Sequence, residues 1–233
     1  KERQYMTRTV TCPDCGEDYT YIGVHWSKSN CKPEISSIQH DIITGVLMGD
    51  ASVISEDNRE PYLILPMANE RFLYWLADEL GWVAASVSKF RESEGNKRAI
   101  YSLRGRSFKQ MEEFRDWYST GSKVYPKIEL SPMILKMWYC CDGNLNYSKN
   151  AYCRISSIKE SDREENLYRM FNNIGFDPVI NDGRIRFSTE ETRDLLSWMG
   201  SPPPGFEHKW VSDDRFKYDR VKHYNKHERR SQR

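Results

Sequence analysis

Cys12 and Cys15 form a C-x2-C knuckle, followed by His25 after nine residues and Cys31 after five more. Three thiols and one imidazole in this spacing are a tetrahedral zinc set. Protein fills all four positions and none is left for water, which predicts a structural rather than a catalytic ion. A segment of this length also carries too little apolar surface to fold without a staple. The other three cysteines, Cys140, Cys141 and Cys153, are scattered in apolar context. Zinc spacing in one set and apolar scatter in the other predict a reducing, intracellular compartment and not a disulfide framework. We expect a cytoplasmic location, with an organelle also compatible.

A second chemistry is carried by acids. Residues 42–53 read IITGVLMGDASV, an apolar helical run that ends on Asp50. Gly45 and Gly49 lie one turn apart on it, each costing about 1 kcal/mol in a helix relative to alanine, which suggests a close backbone approach. A carboxylate at a helix C-terminus faces the negative end of the macrodipole and calls for a nearby cation. The pattern recurs 92 residues later, where ILKMWYCCDGNL ends its apolar run on Asp142 with Gly143 behind it. Two such acids suggest a duplicated unit whose carboxylates meet. Converging carboxylates repel unless a cation lies between them, and hard oxygen donors select Mg2+, with Ca2+ or Mn2+ able to stand in.

The segments ITGVLMGDAS and LKMWYCCDG resemble the two motif helices of LAGLIDADG homing endonucleases, with Asp50 and Asp142 as the acidic positions. Ala51 stands where the family usually has glycine, and Cys141 where it often has a second aspartate. The resemblance covers roughly residues 36–210. It implies an α+β fold of two pseudo-symmetric αββαββα half-domains forming a DNA-binding saddle, preceded here by the small zinc finger. It also implies hydrolysis of DNA phosphodiesters with metals held by Asp50 and Asp142, and with the carbonyls of Gly49 and Cys141 completing the shell. The segment SKVYP resembles the family's connection between halves and carries over to Lys123. The segment PPGFEHKW carries over to Lys209. Each lysine would polarise water or neutralise developing charge, and Lys127 is an alternative to Lys123. His40 and His208 lie nearby and receive no role.

These residues require a scaffold, and the periodicity supplies one. Ser36 or Ser37 caps the first motif helix. Strands follow near 51–56 and 61–67, and then a helix over 69–80 with Phe72, Leu73, Leu76 and Leu80 inward and Gly81 ending it. Strands near 83–90 and 98–104 and a helix over 107–119 complete the first half. The second half repeats the order: a helix over 132–141, strands near 143–147 and 151–157, a helix over 161–174 capped by Ser161, a hairpin on Asp182-Gly183, and a helix over 189–199 stopped by GSPPPG. The expected domains are a finger 1–35, a first half 36–122, a linker 123–131, a second half 132–212 and a basic tail 213–233. Strand alternation leaves Arg98, Arg104, Arg154, Arg184 and Arg186 on polar faces. Each is compatible with a DNA contact or with an ordinary solvated face.

Composition agrees with a DNA partner only locally. Net charge is +1 over 233 residues, but residues 215–233 hold eight Lys/Arg against two acids, and further basic residues cluster over 97–106. No run of eighteen apolar residues is present, so no membrane span is expected. No basic-then-apolar signal segment opens the chain, which begins on Lys1 and is compatible with trimming or a longer parent. The terminal pattern of a complete intein is lacking. Two motifs in one chain point to a monomer acting on duplex DNA at a long specific site, in the service of its own intron or gene. The alternative keeps the fold without the chemistry, as an RNA splicing maturase or a DNA-binding regulator. A zinc-finger adaptor for protein partners is a third reading. The finger's Tyr19, Tyr21, Trp26 and Lys28 fit equally with DNA contact and with its own core.

Overall fold

The structure is a computed structural model and describes residues 9–57, 59–92, 98–118, 123–124, 126–147, 151–157 and 164–210. Lys97, the expected cap Ser161 and the basic tail lie outside the described residues. The chain divides into two compact units, residues 1–126 and 127–233.

The first unit opens with an antiparallel hairpin of β1 (Val10–Thr11) and β2 (Asp18–Tyr19), followed by α1 (Ile22–Lys28). Between the strands the Gly16 N–H donates to the Cys12 carbonyl at 2.8 Å, and Gly16 adopts φ +75°, a conformation open to glycine. The motif helix α2 (Ser37–Met48) starts on a capping box. Gln39 N–H donates to Ser36 Oγ (3.2 Å), and the Ser36 N–H donates to Gln39 Oε1 (2.9 Å). Gln39 Nε2 also donates to the Leu80 carbonyl, tying the start of α2 to the end of α3 (Glu70–Leu80). Every residue from Ile42 to Met48 is buried, as befits a helix apolar on all sides. The inward stripe of α3 is Phe72, Leu73, Leu76 and Leu80, as its periodicity predicts.

Strands β3 (Ser52–Ile54), β4 (Tyr62–Met67), β5 (Ala84–Arg91) and β6 (Ile100–Gly105) form an antiparallel sheet in the order β3-β4-β6-β5. Leu63, Leu65 and Leu103 lie on its buried face. The helix expected over 107–119 is broken. A 3-10 turn (Lys109–Met111), one α turn α4 (Glu112–Arg115) and another 3-10 turn (Asp116–Tyr118) replace it. The buried residues Phe108, Met111, Phe114 and Trp117 recur every three residues. That period stacks side chains on a 3-10 path and would wind them around an α-helix.

The second unit contains α5 (Pro132–Asp142), β7 (Gly143–Tyr147), β8 (Ala151–Ser156), α6 (Glu164–Asn173), β9 (Val179–Asn181), β10 (Arg184–Arg186) and α7 (Thr189–Met199). Ser131 caps α5, with proline in its first turn, and Ser188 with Glu191 forms a capping box on α7. Asp182 (φ +47°) and Gly183 (φ +66°) make the tight β9–β10 turn that the Asp-Gly pair predicts. The sheet order is β7-β8-β10-β9, the same path through four antiparallel strands as in the first unit.

The duplication extends to register. Two residues after Asp50, Ser52 pairs with Ile64, which pairs with Arg104. Two residues after Asp142, Asn144 pairs with Arg154, which pairs with Arg186. The fold is therefore α+β, built from two related halves with a Cys/His finger ahead of the first.

Candidate active site and nucleic-acid interface

Each motif helix delivers its acid at its C-terminal end, and the two acids belong to different units. Asp50 follows the C-cap Gly49 and is exposed; Asp142 is the last residue of α5 and is half-buried. The chain turns sharply after α2, with the Ala51 N–H reaching back to the Val46 carbonyl at 2.9 Å. After α5, Gly143 starts β7 directly. A Cβ at Gly143 would overlap the Tyr139 ring, so glycine is required there. The Cβ would also meet the Tyr139 carbonyl at 2.5 Å, and the first half, with Leu47 and Ala51 at these positions, leaves its helix by a different turn.

In both units a lysine grips the carbonyls at the end of the motif helix. Lys123 Nζ donates to the carbonyls of Leu47 (2.7 Å), Gly49 (2.7 Å) and Ala51 (3.2 Å). Lys209 Nζ donates to those of Cys140 (2.7 Å) and Tyr139 (3.3 Å), while the Lys209 carbonyl accepts from Tyr139 Oη at 3.0 Å. A cation at this place satisfies carbonyls that a helix end leaves without intrahelical donors, and it offsets the negative end of the macrodipole. Three acceptors occupy all three N–H bonds of Lys123. Gly49 O, expected among the metal ligands, accepts from Lys123, whereas the Lys209 bonds go to Tyr139 and Cys140 and not to Cys141. Within each unit the helix end offers carboxylate and carbonyl oxygens, hard donors of the kind that a magnesium-like cation takes. The sequence did not point to the lysine–carbonyl bonds, because their acceptors are backbone atoms 69 or more positions away.

The arginines divide by position. Arg104 on β6, and Arg184 and Arg186 on β10, are exposed on the side of each sheet opposite the buried Leu103 and Ile185. Arg154 on β8 is half-buried, with its Nε donating to Asn144 Oδ1 at 2.6 Å. Arg98 is exposed but precedes β6 rather than lying in it. Tyr62 and Tyr152 share these faces. The Arg104 guanidinium lies 4.1 Å from the Tyr62 ring centre, and the Arg186 guanidinium 4.3 Å from that of Tyr152. Strand alternation puts Tyr152 on the face of Arg154, but which arginine meets which tyrosine depends on the register between strands.

In the finger, the ligand atoms of Cys12, Cys15, His25 and Cys31 all lie within 4.8 Å of one another. A tetrahedron with 2.3 Å zinc–sulfur bonds has edges of about 3.8 Å, so the four ligand atoms need to close by no more than about 1 Å to take zinc, and their types fit it. His25 Nε2 faces Cys15 Sγ at 3.6 Å, and the His25 ring stacks on Tyr19 with 3.8 Å between centres. Burial pushes the Cys12 thiol up, but hydrogen bonds from the Cys15 and Asp14 backbone outweigh it and bring it down to about 6, ready to bind metal as thiolate. Cys153 shows the opposite outcome, with burial pushing its thiol up to about 12. Trp26 packs edge-on against Trp82 at 5.3 Å, and Trp82 against Phe108 at 5.0 Å, which seats the finger on the first half-domain. Tyr21 and Lys28 remain exposed.

No helix among the described residues is long and apolar enough to cross a membrane. A model of the LAGLIDADG DNA endonuclease family matches residues 40–195. The homing endonuclease I-WcaI, solved bound to its DNA recognition sequence, superposes with a TM-score of 0.68 at 13% identity, covering 82% of this chain and 92% of its own. I-DmoI, solved in complex with DNA and Mn, matches with a TM-score of 0.45 at 17% identity over 71% of this chain and 98% of its own. Full-length DUF199/WhiA from Thermatoga maritima matches with a TM-score of 0.44 at 12% identity over 85% of this chain and 69% of its own. A comparison with curated proteins finds no match. The match to the family model spans most of the chain, both motif acids included: the protein belongs to the LAGLIDADG DNA endonuclease family.

Proposed function

We propose that this chain is a monomeric, site-specific, double-strand DNA endonuclease that acts inside the cell and promotes the mobility of its own intron or gene. The observation that carries the reading is the duplicated helix end, an acid beside a lysine-held turn in each unit. Asp50 and Asp142 would hold divalent cations, Mg2+ in the working enzyme, with the carbonyls of Gly49 and Cys141 as further donors. When bound, such cations activate water and stabilise the leaving oxygen. Lys123 and Lys209 keep the acid-bearing turns in place and put positive charge where the phosphate becomes more anionic. With all three donors engaged, Lys123 acts through charge and position rather than as a proton relay.

The domain division 1–35, 36–122, 123–131, 132–212 and 213–233 belongs to the same proposal, with structural zinc in the first segment. Arg98, Arg104, Arg154, Arg184 and Arg186 contact the duplex. The test is a plasmid carrying the DNA that flanks this reading frame, joined as it would be without the insertion and incubated with Mg2+. Linear product from the native protein, absent with Asp50→Asn and Asp142→Asn, supports the reading. Intact plasmid together with tight binding of the flanked intron RNA overturns it in favour of a maturase.

A further inference from the structure

The two arginine–tyrosine pairs are the same device built twice. Arg104 is the cross-strand partner of Ile64, and Tyr62 lies two residues before Ile64 on β4. Arg186 is the partner of Arg154, and Tyr152 lies two residues before Arg154 on β8. In each unit the guanidinium therefore reaches diagonally over the tyrosine on the open face of the sheet, at nearly equal separations of 4.1 and 4.3 Å. Such diagonal neighbours are within reach of long side chains.

Stacking on a ring fixes the plane of a guanidinium and leaves its N–H edge free to donate. Tyr62 is itself anchored, since it is 6% exposed and its Oη donates to Glu56 Oε1 at 2.9 Å. The same Glu56 oxygen lies 4.0 Å from Arg104 Nη2. An arginine recruited for a phosphate gains little from a fixed plane, and it loses attraction when a carboxylate stands beside it. An arginine that reads a base gains from the fixed plane in either half, because the fork is held in the geometry of two parallel hydrogen bonds, and in the first half Glu56 also lowers non-specific attraction at Arg104. The base edge that accepts two such bonds is guanine O6 and N7 in the major groove.

Resting on the DNA reading above, we infer that Arg104 and Arg186 each read one guanine of the target, with Tyr62 and Tyr152 as the positioning residues that set their planes. The duplicated register makes these equivalent contacts, one from each half.

The experiment is selection of bound duplexes from a randomised library, without added magnesium, for the native protein and for single variants. The native protein is expected to enrich guanine at defined positions. Arg104→Ala abolishes the preference at one of them and Arg186→Ala at another, each weakening binding to the selected site on the order of tenfold or more. Arg104→Lys keeps the charge, and so the salt dependence, but loses the guanine preference. Tyr62→Leu weakens the preference at the Arg104 position alone, and Tyr152→Leu at the Arg186 position alone; thermal melting confirms that these variants are folded. The inference is overturned when the native protein selects a site but both alanine variants keep every guanine and lose affinity evenly, as phosphate contacts would. Recovery of no sequence by the native protein overturns the DNA reading itself.

Discussion

Replacing Lys123 by methionine keeps most of the side-chain stem and removes the charge that holds the end of α2. Two short bonds, to Leu47 and Gly49, and one longer bond, to Ala51, are lost. Hydrogen bonds to a charged group contribute about 1.5–3 kcal/mol each, and a cation at a helix C-terminus about 0.3–1 kcal/mol more. Asp50 next door is exposed, so water can reach part of this turn and replace some of the lost donors. The net cost expected for Lys123→Met is about 2–3 kcal/mol. Lys209 makes one short bond and one at 3.3 Å, so Lys209→Met should cost about 1–2 kcal/mol. Exposed Lys109 serves as control, and Lys109→Met should stay within about 0.5 kcal/mol of the native protein. Urea unfolding followed by tryptophan fluorescence gives all three. The reasoning is refuted if Lys123→Met unfolds with the control, because the lysine would then contribute nothing to the turn that carries Asp50.

Gly143→Ala forces a Cβ into the Tyr139 ring and should cost about 1–3 kcal/mol as an overpacked site. Combined with Tyr139→Leu, which restores the Leu and Ala pairing of the first half, it should cost less than the two single changes added together; strict additivity would count against the assigned equivalence. Zinc should be present at one equivalent and be lost in Cys12→Ser. Its removal by a chelator should change tryptophan emission through the Trp26–Trp82 contact, and unchanged emission in metal-free protein would contradict a zinc-held finger. Asp50→Asn and Asp142→Asn should each abolish double-strand cleavage in a gel assay while leaving binding of the uncut duplex within about tenfold, since neither acid lies on the arginine-bearing strands.

Legibility in the sequence followed the range of the interactions. The cap at Ser36, the stripe of α3 and the Asp182-Gly183 turn are local, and residues within a few positions of each other specify them. The clustering of Cys12, Cys15, His25 and Cys31 was readable because three thiols and an imidazole at this spacing have few other uses. The segment 107–119 misled because bulky apolar residues at intervals of three fit an α-helix over one turn and a 3-10 path over several. The sequence named the lysines through a family resemblance, but not their grip on Leu47, Gly49 and Cys140, because backbone carbonyls leave no trace in residue type. The arginine–tyrosine pairs were equally hidden. A diagonal neighbour across two strands depends on register, and register emerges only once Ser52 and Asn144 are seen to start equivalent ladders.

The proposed function requires that the helix-end carboxylate of each unit hold a divalent cation. The most direct measurement is anomalous scattering from crystals of the protein with its target duplex, soaked in Mn2+. We predict manganese peaks within coordination distance of both Asp50 and Asp142, lost when both are replaced by asparagine. Peaks absent from both carboxylates in a fully bound complex would contradict the account.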